Sequence, residues 1–277
     1  MGAVIAIGAL GGSGTRAIAQ VLMDAGIYLG DSLNNANDNK LFTRLFKNPS
    51  FYNGAGKEEI QERLAVFEEY MRTDHLSPKS VKRLLKAAFD NPLARNSFTF
   101  NIRILYKTLS KPCNRQTWGW KEPNTQIYLQ EIDGFFDNLK YLQVIRHGLD
   151  MAFSSNRKQL ANWGYRYGIH IDEAATEQEI AYRQLEYWIQ STREVIEKGK
   201  HLRGDFLLVN HGEFCAQPEA QIDRMLNFIG ADVSPEKRKA LYDIPRTPRS
   251  AGRYRHHDLG IFDRSQLDFV REMGFDV

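Results

Sequence analysis

The sequence predicts an α/β fold in which a parallel central sheet is flanked by helices. Short apolar runs, typical of buried strands, alternate along the chain with segments whose apolar residues have helical spacing. The first run leads into a glycine-rich loop and a helix, and two later runs end in a basic residue. The predicted strands cover residues 4–7, 117–120, 140–145 and 205–210. We expect a single domain spanning residues 1–277.

The first predicted strand is followed by a glycine-rich loop and then by a helix. Glycine is costly in conformational entropy, so several in one loop suggest that a ligand approaches the backbone closely. The loop N–H groups and the positive end of the helix dipole would together hold an anion. A tight turn that binds nothing is the alternative. The glycines are Gly8, Gly11, Gly12 and Gly14, and the helical face is Ile18, Val21, Leu22 and Ala25.

This loop is not the usual ATP- or GTP-binding sequence, G-x-x-x-x-G-K-[ST], which supplies a lysine and a magnesium-binding hydroxyl. Thr15 and Arg16 follow Gly14, and they do not restore that pattern. Nor does the loop match G-x-G-x-x-G of dinucleotide-binding folds. The sequence therefore predicts a phosphate-like anion held without a dedicated magnesium ion. The seven histidines show no metal-binding spacing, so we expect no metal site.

Three helices are predicted between residues 57 and 110, and they form an insertion of about residues 52–112 that caps the ligand edge of the sheet. Pro78 and Pro92 each begin a helix after a capping residue. We expect their apolar stripes to lie in the core. The stripes are Ile60, Leu64, Phe67 and Met71; Val81, Leu84, Leu85 and Ala88; and Phe98, Ile102, Leu105 and Leu109.

Basic residues follow two of the later strands, at Lys121 and Arg146. Because the carboxyl ends of parallel strands border the ligand crevice, we expect both side chains near the glycine loop. A solvated side chain is the alternative for Lys121. A helix is predicted to begin near Asp150 and to carry Ser154 on its first turns. Arg146 and Ser154 would then converge on one anion.

Three loops leave two interpretations open. Residues 27–47 are a plain surface loop, or they bring Asp31 or Asp38 beside the anion loop as a base or as an acceptor-binding group. Residues 161–171 are rich in aromatic side chains, which stack on a flat substrate or pack on the surface. Residues 245–257 contain four arginines and no acidic residue, which suits phosphate recognition or simple solvation.

Helix caps are predicted near the carboxyl end of the chain. Thr176 and Glu179 form a capping box before a long helix. Ser265, with Asp268 three residues later, is predicted to cap the final helix, which Gly274 ends.

Bulk composition excludes several classes of protein. The net charge of +3, from 37 basic and 34 acidic residues, is too balanced for a nucleic-acid coat. Two cysteines favour a reducing compartment over a disulfide framework. No apolar run is long enough to span a membrane, and a strand within four residues of Met1 leaves no room for a signal peptide. We expect a cytoplasmic protein; its oligomeric state is not predicted.

These segments resemble the sulfotransferases, which use 3′-phosphoadenosine-5′-phosphosulfate (PAPS) as donor. The resemblance rests on the glycine loop, on Lys121 followed by an acid and a proline, and on Arg146 with Ser154 eight residues later. Residues 250–255, Ser-Ala-Gly-Arg-Tyr-Arg, are similar to an element of bacterial members. The resemblance implies a P-loop-like fold and release of adenosine 3′,5′-bisphosphate.

The resemblance also implies how the donor is held. The 5′-phosphate and the sulfuryl oxygens would lie on the N–H groups of the glycine loop, and the 3′-phosphate on basic and hydroxyl side chains. The loop residues are Gly11, Gly12, Ser13, Gly14, Thr15 and Arg16, and the 3′-phosphate ligands are Arg146, Ser154 and Arg253.

The sequence matches the catalytic residues of the family less closely than it matches the donor-binding residues. Lys121 and Arg16 would offset negative charge on the leaving oxygen. Asp31 and Asp38 are the candidate bases, and Glu122 is a less favoured third candidate. Most members carry a basic residue at the position of Gly12, and the usual threonine is Arg16 here.

The acceptor would be a small molecule, a glycan or a lipid that offers a hydroxyl or an amine. A P-loop kinase and a non-catalytic nucleotide-binding scaffold are the alternatives. The kinase would need the loop lysine and the magnesium-binding hydroxyl that the sequence lacks.

Overall fold

The computed structural model describes the backbone of residues 2–90 and 98–277, and the side chains of residues 2–87 and 102–277. Strands of these residues form a four-stranded sheet in the order β2-β1-β3-β4, and every neighbouring pair is parallel. The strands are β1 Val4–Ala9, β2 Trp118–Lys121, β3 Leu139–Ile145 and β4 Asp205–Asn210. The predicted parallel α/β sheet is therefore confirmed.

Helices fill the connections between the strands. Those before β2 are α1 Thr15–Asp24, α2 Lys40–Phe46, α3 Pro49–Gly54, α4 Lys57–Thr73, α5 Pro78–Asp90 and α6 Phe98–Leu109. Between β2 and β4 lie α7 Leu129–Phe135, α8 Gly148–Ala152, α9 Lys158–Trp163 and α10 Glu177–Lys200. After β4 come α11 His211–Ala216, α12 Pro218–Ile229, α13 Pro235–Tyr242 and α14 Arg264–Glu272. Short 3-10 turns cover Pro123–Tyr128, Gly164–Tyr167, Arg253–His256 and Leu259–Ile261.

The sheet buries both faces, because successive side chains of a strand point to opposite sides. Ile5 and Ile7 of β1 pack in a cluster with α1 and α12, whereas Ala6 belongs to a larger cluster on the other face. That larger cluster holds many aromatic rings, and Trp120 lies between Phe42 and Phe67 at centroid distances of 5.5 and 5.1 Å. Continuous apolar runs are what strands covered on both faces require.

Several local predictions are confirmed and others are wrong. The apolar stripe of α4 is buried, and Thr176 with Glu179 forms the capping box of α10. The loop predicted over residues 27–47 contains α2, because Asn39 accepts hydrogen bonds from the N–H groups of Leu41 and Phe42 and starts a helix.

The final helix is capped one turn earlier than predicted. Asp263, with Gln266 three residues later, forms its capping box, rather than Ser265 with Asp268. The position of Gly274, just after the helix, agrees with the prediction.

The stripe predicted on α6 is the clearest error. Ile102, Leu105 and Leu109 are 51, 61 and 80% exposed, so they lie outside the core. On α5, Leu84 is buried as predicted, but Leu85 is 42% exposed. The predicted start at Asn91-Pro92 and the side chains of Ala88 and Phe98 lie outside the described residues.

The predicted insertion lies between α1 and β2, where α4 contacts both β2 and α7. That it caps the ligand edge, and that residues 1–277 are one domain, stay predictions. No helix within the described residues is long and apolar enough to cross a membrane.

Candidate active site

The candidate site lies at the carboxyl edge of the sheet, around the loop that follows β1. The chain passes from β1 to β2 on one side, and β3 lies on the other side of β1. The strand order therefore reverses at β1, which is where ligands bind in open α/β sheets. Lys121 ends β2, Arg146 follows β3 directly, and His211 follows β4.

The glycine loop bends sharply into α1. Gly12 and Gly14 have φ angles of +98° and +81°, a left-handed conformation that favours glycine. The N–H of Ser13 donates to the carbonyl of Leu10 at 3.1 Å, which tightens the turn. Gly14 is the N-cap of α1 and offers no side-chain cap, and the first turn carries no acidic residue. The end of the helix is thus chemically suited to an anion.

Arg146 connects the glycine loop to the carboxyl-terminal segment. Its guanidinium donates to the carbonyl oxygen of Gly12 at 3.1 Å and to the Ser250 hydroxyl at 2.8 Å. Asp150 lies 3.7 Å from the same guanidinium. Burial lowers the pKa of Arg146 from its ordinary value, and the charge of Asp150 offsets part of that shift. The residue is a partly buried cation at the edge of the loop.

Residues 250–255 pack against Arg146 and α8. Asp150 accepts a hydrogen bond from the N–H of Gly252 at 3.1 Å. The Arg253 guanidinium donates to the carbonyls of Ser250 and Phe153 at 3.2 and 3.4 Å. A cavity of about 370 Å³ opens here and is lined by Arg146, His147, Asp150, His211, Tyr254 and Arg255 among others. The predicted basic loop therefore borders a concave site.

Ser154 lies outside the helix that was predicted to carry it. Helix α8 begins at Gly148 and ends at Ala152, so Ser154 falls in the following turn. Its hydroxyl accepts a hydrogen bond from the N–H of Asn156 at 3.2 Å. Ser154 lines a cavity of about 250 Å³ with Arg157 and His257, and Arg146 is not among the lining residues of that cavity. Convergence of Arg146 and Ser154 on one anion stays a prediction.

Lys121 forms a buried ion pair with Asp38. Its ammonium also donates to the carbonyl oxygen of Ala36, and the side chain is only 1% exposed. Burial lowers the pKa of Lys121, and the Asp38 carboxylate opposes that shift. In the same loop, the Asn37 amide donates to the carbonyl oxygen of Arg16 at 3.4 Å. The Lys121–Asp38 pair therefore sits beside the first turn of α1, where the Arg16 side chain is exposed.

Asp31 occupies a different environment from Asp38. It accepts a hydrogen bond from the Tyr70 hydroxyl at 2.9 Å and pairs with Lys107 at 2.7 Å and Arg103 at 3.6 Å. Burial acts to raise the pKa of Asp31, but the hydrogen bond and charge of Lys107 and the Tyr70 hydroxyl outweigh it and lower the pKa. Asp31 is thus a weak base that joins α4 to α6.

Glu122, the third candidate base, caps the 3-10 turn after β2. It accepts a hydrogen bond from the N–H of Asn124 at 2.7 Å and lies 3.6 Å from the Lys47 ammonium. Burial raises the pKa of Glu122, although the charge of Lys47 opposes this. Its carboxylate is fully buried and already engaged by these partners.

The family model described as "Sulfotransferase family" matches residues 5–235. This chain belongs to the sulfotransferase family. The resemblance inferred from the loop and from the two strand-end cations is confirmed at the level of the family. No curated protein sequence matches the chain.

Solved structures resemble this chain at low sequence identity. The sulfotransferase domain of the Synechococcus PCC 7002 olefin synthase is 13% identical, with a TM-score of 0.50; the match covers 100% of this chain and 96% of that domain. A Mycobacterium avium sulfotransferase is 11% identical, with a TM-score of 0.48 and coverage of 99% and 77%. Retinol dehydratase, solved with retinol and PAP, is 12% identical, with a TM-score of 0.47 and coverage of 99% and 82%.

Packing removes one side chain of the aromatic loop, Trp163, from the candidates for stacking on a substrate. Trp163 is fully buried and lies 5.9 Å from the Tyr52 ring, measured between centroids. The Tyr165 hydroxyl donates to the Asn53 side chain at 2.9 Å. The segment predicted as a loop is α9 and a 3-10 turn. Trp163 therefore packs in the core, where it is not available to stack on a substrate.

His211 lies at the candidate site, although no pattern in the sequence indicated it. Its ring lies against Gly14, so that a Cβ at position 14 would approach it to 2.1 Å. Burial and, to a lesser degree, the charge of Arg146 lower the pKa of His211 to about 4. No sequence motif marks His211, because it follows β4 and only the folded structure brings it next to the loop that follows β1.

We expect His211 to make the folded sulfotransferase sensitive to acid. The pKa is about 4 in the folded state against an ordinary value of 6.5, so the unfolded chain binds more protons between these values. The free energy of unfolding should therefore fall as the pH is lowered through that window. The loss should reach about 3 kcal/mol. Chemical denaturation at a series of pH values measures it.

The comparison uses His211→Gln, which removes the titrating ring, and His170→Gln at an exposed histidine. The His211 variant should show a flatter pH dependence than the native chain, and the His170 variant should follow the native chain. Parallel curves for all three proteins would contradict the assignment of the effect to His211.

Proposed function

We propose that this sulfotransferase moves a sulfuryl group from PAPS to a hydroxyl or amine acceptor. The observation that carries the proposal is a glycine loop at a helix N-terminus between two strand-end cations, the buried Lys121 and the partly buried Arg146. Backbone N–H groups and fixed positive charges at one sheet edge suit a donor that carries several negative charges. Membership of the family supports the same reaction.

The donor would extend across the glycine loop toward Arg146. The N–H groups of the segment from Gly11 to Thr15, other than that of Ser13, hold the 5′-phosphate and the sulfuryl oxygens. Arg146 and Arg253 take the 3′-phosphate, with Ser154 from the turn after α8. The nucleoside fits the neighbouring cavity of about 370 Å³, which has the size of a small-ligand site.

The transfer itself would be an in-line displacement at sulfur. The acceptor oxygen or nitrogen forms a bond to sulfur as the bond from sulfur to the bridging phosphate oxygen breaks. Adenosine 3′,5′-bisphosphate leaves with the negative charge of that oxygen. As in phosphoryl transfer, positioning and charge neutralisation supply most of the rate enhancement. Lys121 neutralises the leaving oxygen, with Arg16 as a second cation from the first turn of α1.

Asp38 is the base that we favour, and it would receive the acceptor proton. It lies on the loop that touches the first turn of α1 and is 15% exposed, so an acceptor can reach it. Asp31 is held by three donors that lower its pKa, and Glu122 caps a turn. Asp31 is therefore the weaker base, and Glu122 is fully buried and already engaged. A small molecule, a glycan or a lipid remains the proposed acceptor class.

We further propose that the protein works in the cytoplasm, a reducing compartment. Both Cys113 and Cys215 are free thiols.

Alanine at Arg146 tests the donor assignment. We expect the affinity for adenosine 3′,5′-bisphosphate to fall ten- to hundredfold, roughly the 1.5–3 kcal/mol of a charge-assisted hydrogen bond. Affinity for 5′-AMP should hardly change, because it lacks the 3′-phosphate. Calorimetric titration of both ligands measures the difference. Equal losses for the two ligands would contradict the 3′-phosphate role and leave Arg146 as a structural link between Gly12 and Ser250.

The matched control is Arg264→Ala, which removes an arginine of α14 whose side chain is 95% exposed. It should bind both ligands as the native protein does. A thermal-shift panel with adenosine 3′,5′-bisphosphate and with ATP and magnesium separates the alternatives. Stabilisation by ATP and magnesium alone would favour the kinase. Stabilisation by the bisphosphate without turnover of PAPS on an acceptor library would favour a scaffold.

A further inference from the structure

Helix α6 turns its apolar stripe toward solvent. Ile102, Leu105, Tyr106 and Leu109 are spaced at i, i+3, i+4 and i+7 and are 51, 61, 64 and 80% exposed. The opposite side of the helix carries Ile104 and Lys107, which are 4 and 2% exposed. A surface helix normally buries its apolar stripe and exposes its charges. This helix does the reverse.

Exposed apolar side chains are concentrated in this region of the protein. Among the side chains that the structure describes, the exposed large hydrophobic residues are the four of the α6 stripe, Leu85 of α5 and Val277. Contiguous apolar surface of this kind marks an interaction site, whereas single exposed residues do not.

Ion pairs, including two of the buried Lys107, fix α6 in this orientation. The Lys107 ammonium pairs with Asp31 at 2.7 Å and with Asp74, and it lies 5.0 Å from the centroid of the Tyr70 ring. Arg103 pairs with Asp31 from the preceding turn. Rotating α6 to bury its apolar stripe would break these pairs and leave the Lys107 ammonium without its carboxylate partners, which is unfavourable for a buried charge. The outward stripe is therefore held in place.

Exposed lysines lie on and beside the two helices that carry the exposed apolar side chains. Between Ser77 and Pro112 the sequence contains eight Lys and Arg residues and one acidic residue, although the whole chain has 37 basic and 34 acidic residues. Lys79, Lys82 and Lys86 of α5 and Lys111 after α6 are exposed. None of the four forms an ion pair with another residue of the described part of the chain.

The two helices bring these features onto one surface. The N–H of Leu76, before α5, donates to the carbonyl oxygen of Lys107 at 3.2 Å, and the His75 ring contacts the Ser110 carbonyl at 3.0 Å. The start of α5 therefore lies beside the end of α6, and Lys79 and Lys111 belong to neighbouring ends. We call the exposed side chains of α5 and α6 the basic apolar face; they are Lys79, Lys82, Leu85, Lys86, Ile102, Leu105, Tyr106, Leu109 and Lys111.

We propose that the basic apolar face docks on an anionic lipid bilayer. The stripe of α6 enters the boundary between headgroups and acyl chains, and the lysines bind lipid phosphates and carboxylates. Tyr106 is amphipathic and suits the headgroup level. A second copy of the chain fits less well, because the unpaired lysines of two such faces would repel each other. The inference goes beyond sulfuryl transfer and does not depend on it.

Vesicle sedimentation with the full-length chain tests the proposal. The chain should bind vesicles of phosphatidylcholine with phosphatidylserine, bind pure phosphatidylcholine much less, and lose affinity as salt is added. Leu105→Ser with Leu109→Ser should abolish binding. Lys82→Gln with Lys86→Gln should weaken it about 30-fold, from about 1 kcal/mol for each lysine near the surface.

Lys237→Gln with Lys239→Gln is the matched control, because it removes two exposed lysines from α13. This variant should bind vesicles as the native chain does. All variants should retain the native unfolding temperature and the native affinity for adenosine 3′,5′-bisphosphate, which separates the outcome from that of the proposed activity.

Three results would overturn the proposal. The first is no binding to anionic vesicles. The second is equal binding to neutral vesicles with no effect of Lys82→Gln and Lys86→Gln. The third is a dimer in sedimentation analysis that Leu105→Ser dissociates, which would make the basic apolar face an interface between copies.

Discussion

Replacing Lys121 with methionine is expected to lower kcat by about 10²- to 10³-fold, the usual effect of removing one fixed group that stabilises transition-state charge. Lys121 is 1% exposed, and in such an environment its charge acts on the leaving oxygen with little screening by water. The affinity for adenosine 3′,5′-bisphosphate should change little, since the lysine is proposed to act on charge that develops during transfer. Steady-state kinetics with saturating PAPS and a calorimetric titration of the bisphosphate measure the two quantities.

Lys140→Met is the control for the loss of a paired lysine. Lys140 lies at the start of β3, at the other edge of the sheet, and pairs with Asp205 at 2.9 Å. Its removal should leave kcat unchanged. Lys121→Met also leaves the Asp38 carboxylate without its partner, so the unfolding temperatures of the variant and the native chain must be compared. Adding Asp38→Asn to Lys121→Met removes the unpaired charge. This double variant should recover stability without recovering turnover. A kcat near the native value in Lys121→Met would contradict the catalytic role.

The strands were predictable because their signal is local. A strand covered on both faces needs a continuous apolar run, and all four runs coincide with observed strands to within two residues at either end. The positions of Lys121 and Arg146 at strand ends follow directly from those boundaries. Parallel pairing then places both residues at one edge of the sheet, on either side of the loop after β1.

The orientation of α6 was not predictable because periodicity shows only that a helix has an apolar face. Which face turns inward depends on distant partners. Here Lys107 pairs with Asp31 and Asp74, which are 76 and 33 positions away in the sequence. Those pairs hold the charged side inside and turn Leu105 and Leu109 outward. A residue pattern limited to one helix contains no information about such partners.

The candidate site was predictable in part for the same reason. The glycine loop is contiguous, so its residues are recognisable together, and the family that it indicated is confirmed. The contact between His211 and Gly14, in contrast, joins residues that follow two different strands, so no contiguous stretch of sequence indicates it. Ser154 failed as a helical residue because α8 ends at Ala152, and helix ends are set by packing as well as by sequence.

Replacing Gly14 with alanine is expected to lower the free energy of unfolding by about 4 kcal/mol, and to weaken binding of adenosine 3′,5′-bisphosphate. Two costs combine. A left-handed φ of +81° costs a residue with a Cβ about 1–2 kcal/mol. The new methyl group would also lie 2.1 Å from the His211 ring, and such overpacking costs about 1–3 kcal/mol. Denaturant unfolding and calorimetric titration measure the two effects.

Gly230→Ala isolates the conformational cost. Gly230 has a similar φ of +72° and follows the end of α12, and a Cβ added there would meet no atom of the described residues around it within 4 Å. Its variant should lose only about 1–2 kcal/mol and should bind the bisphosphate normally. Adding His211→Ala to Gly14→Ala should recover the overpacking cost, which a double-mutant cycle reports as a coupling of about 1–3 kcal/mol. Equal losses in the Gly14 and Gly230 variants, with no coupling to His211, would show that the loop moves freely away from the ring. The contact between the two strand ends would then have no part in shaping the anion site.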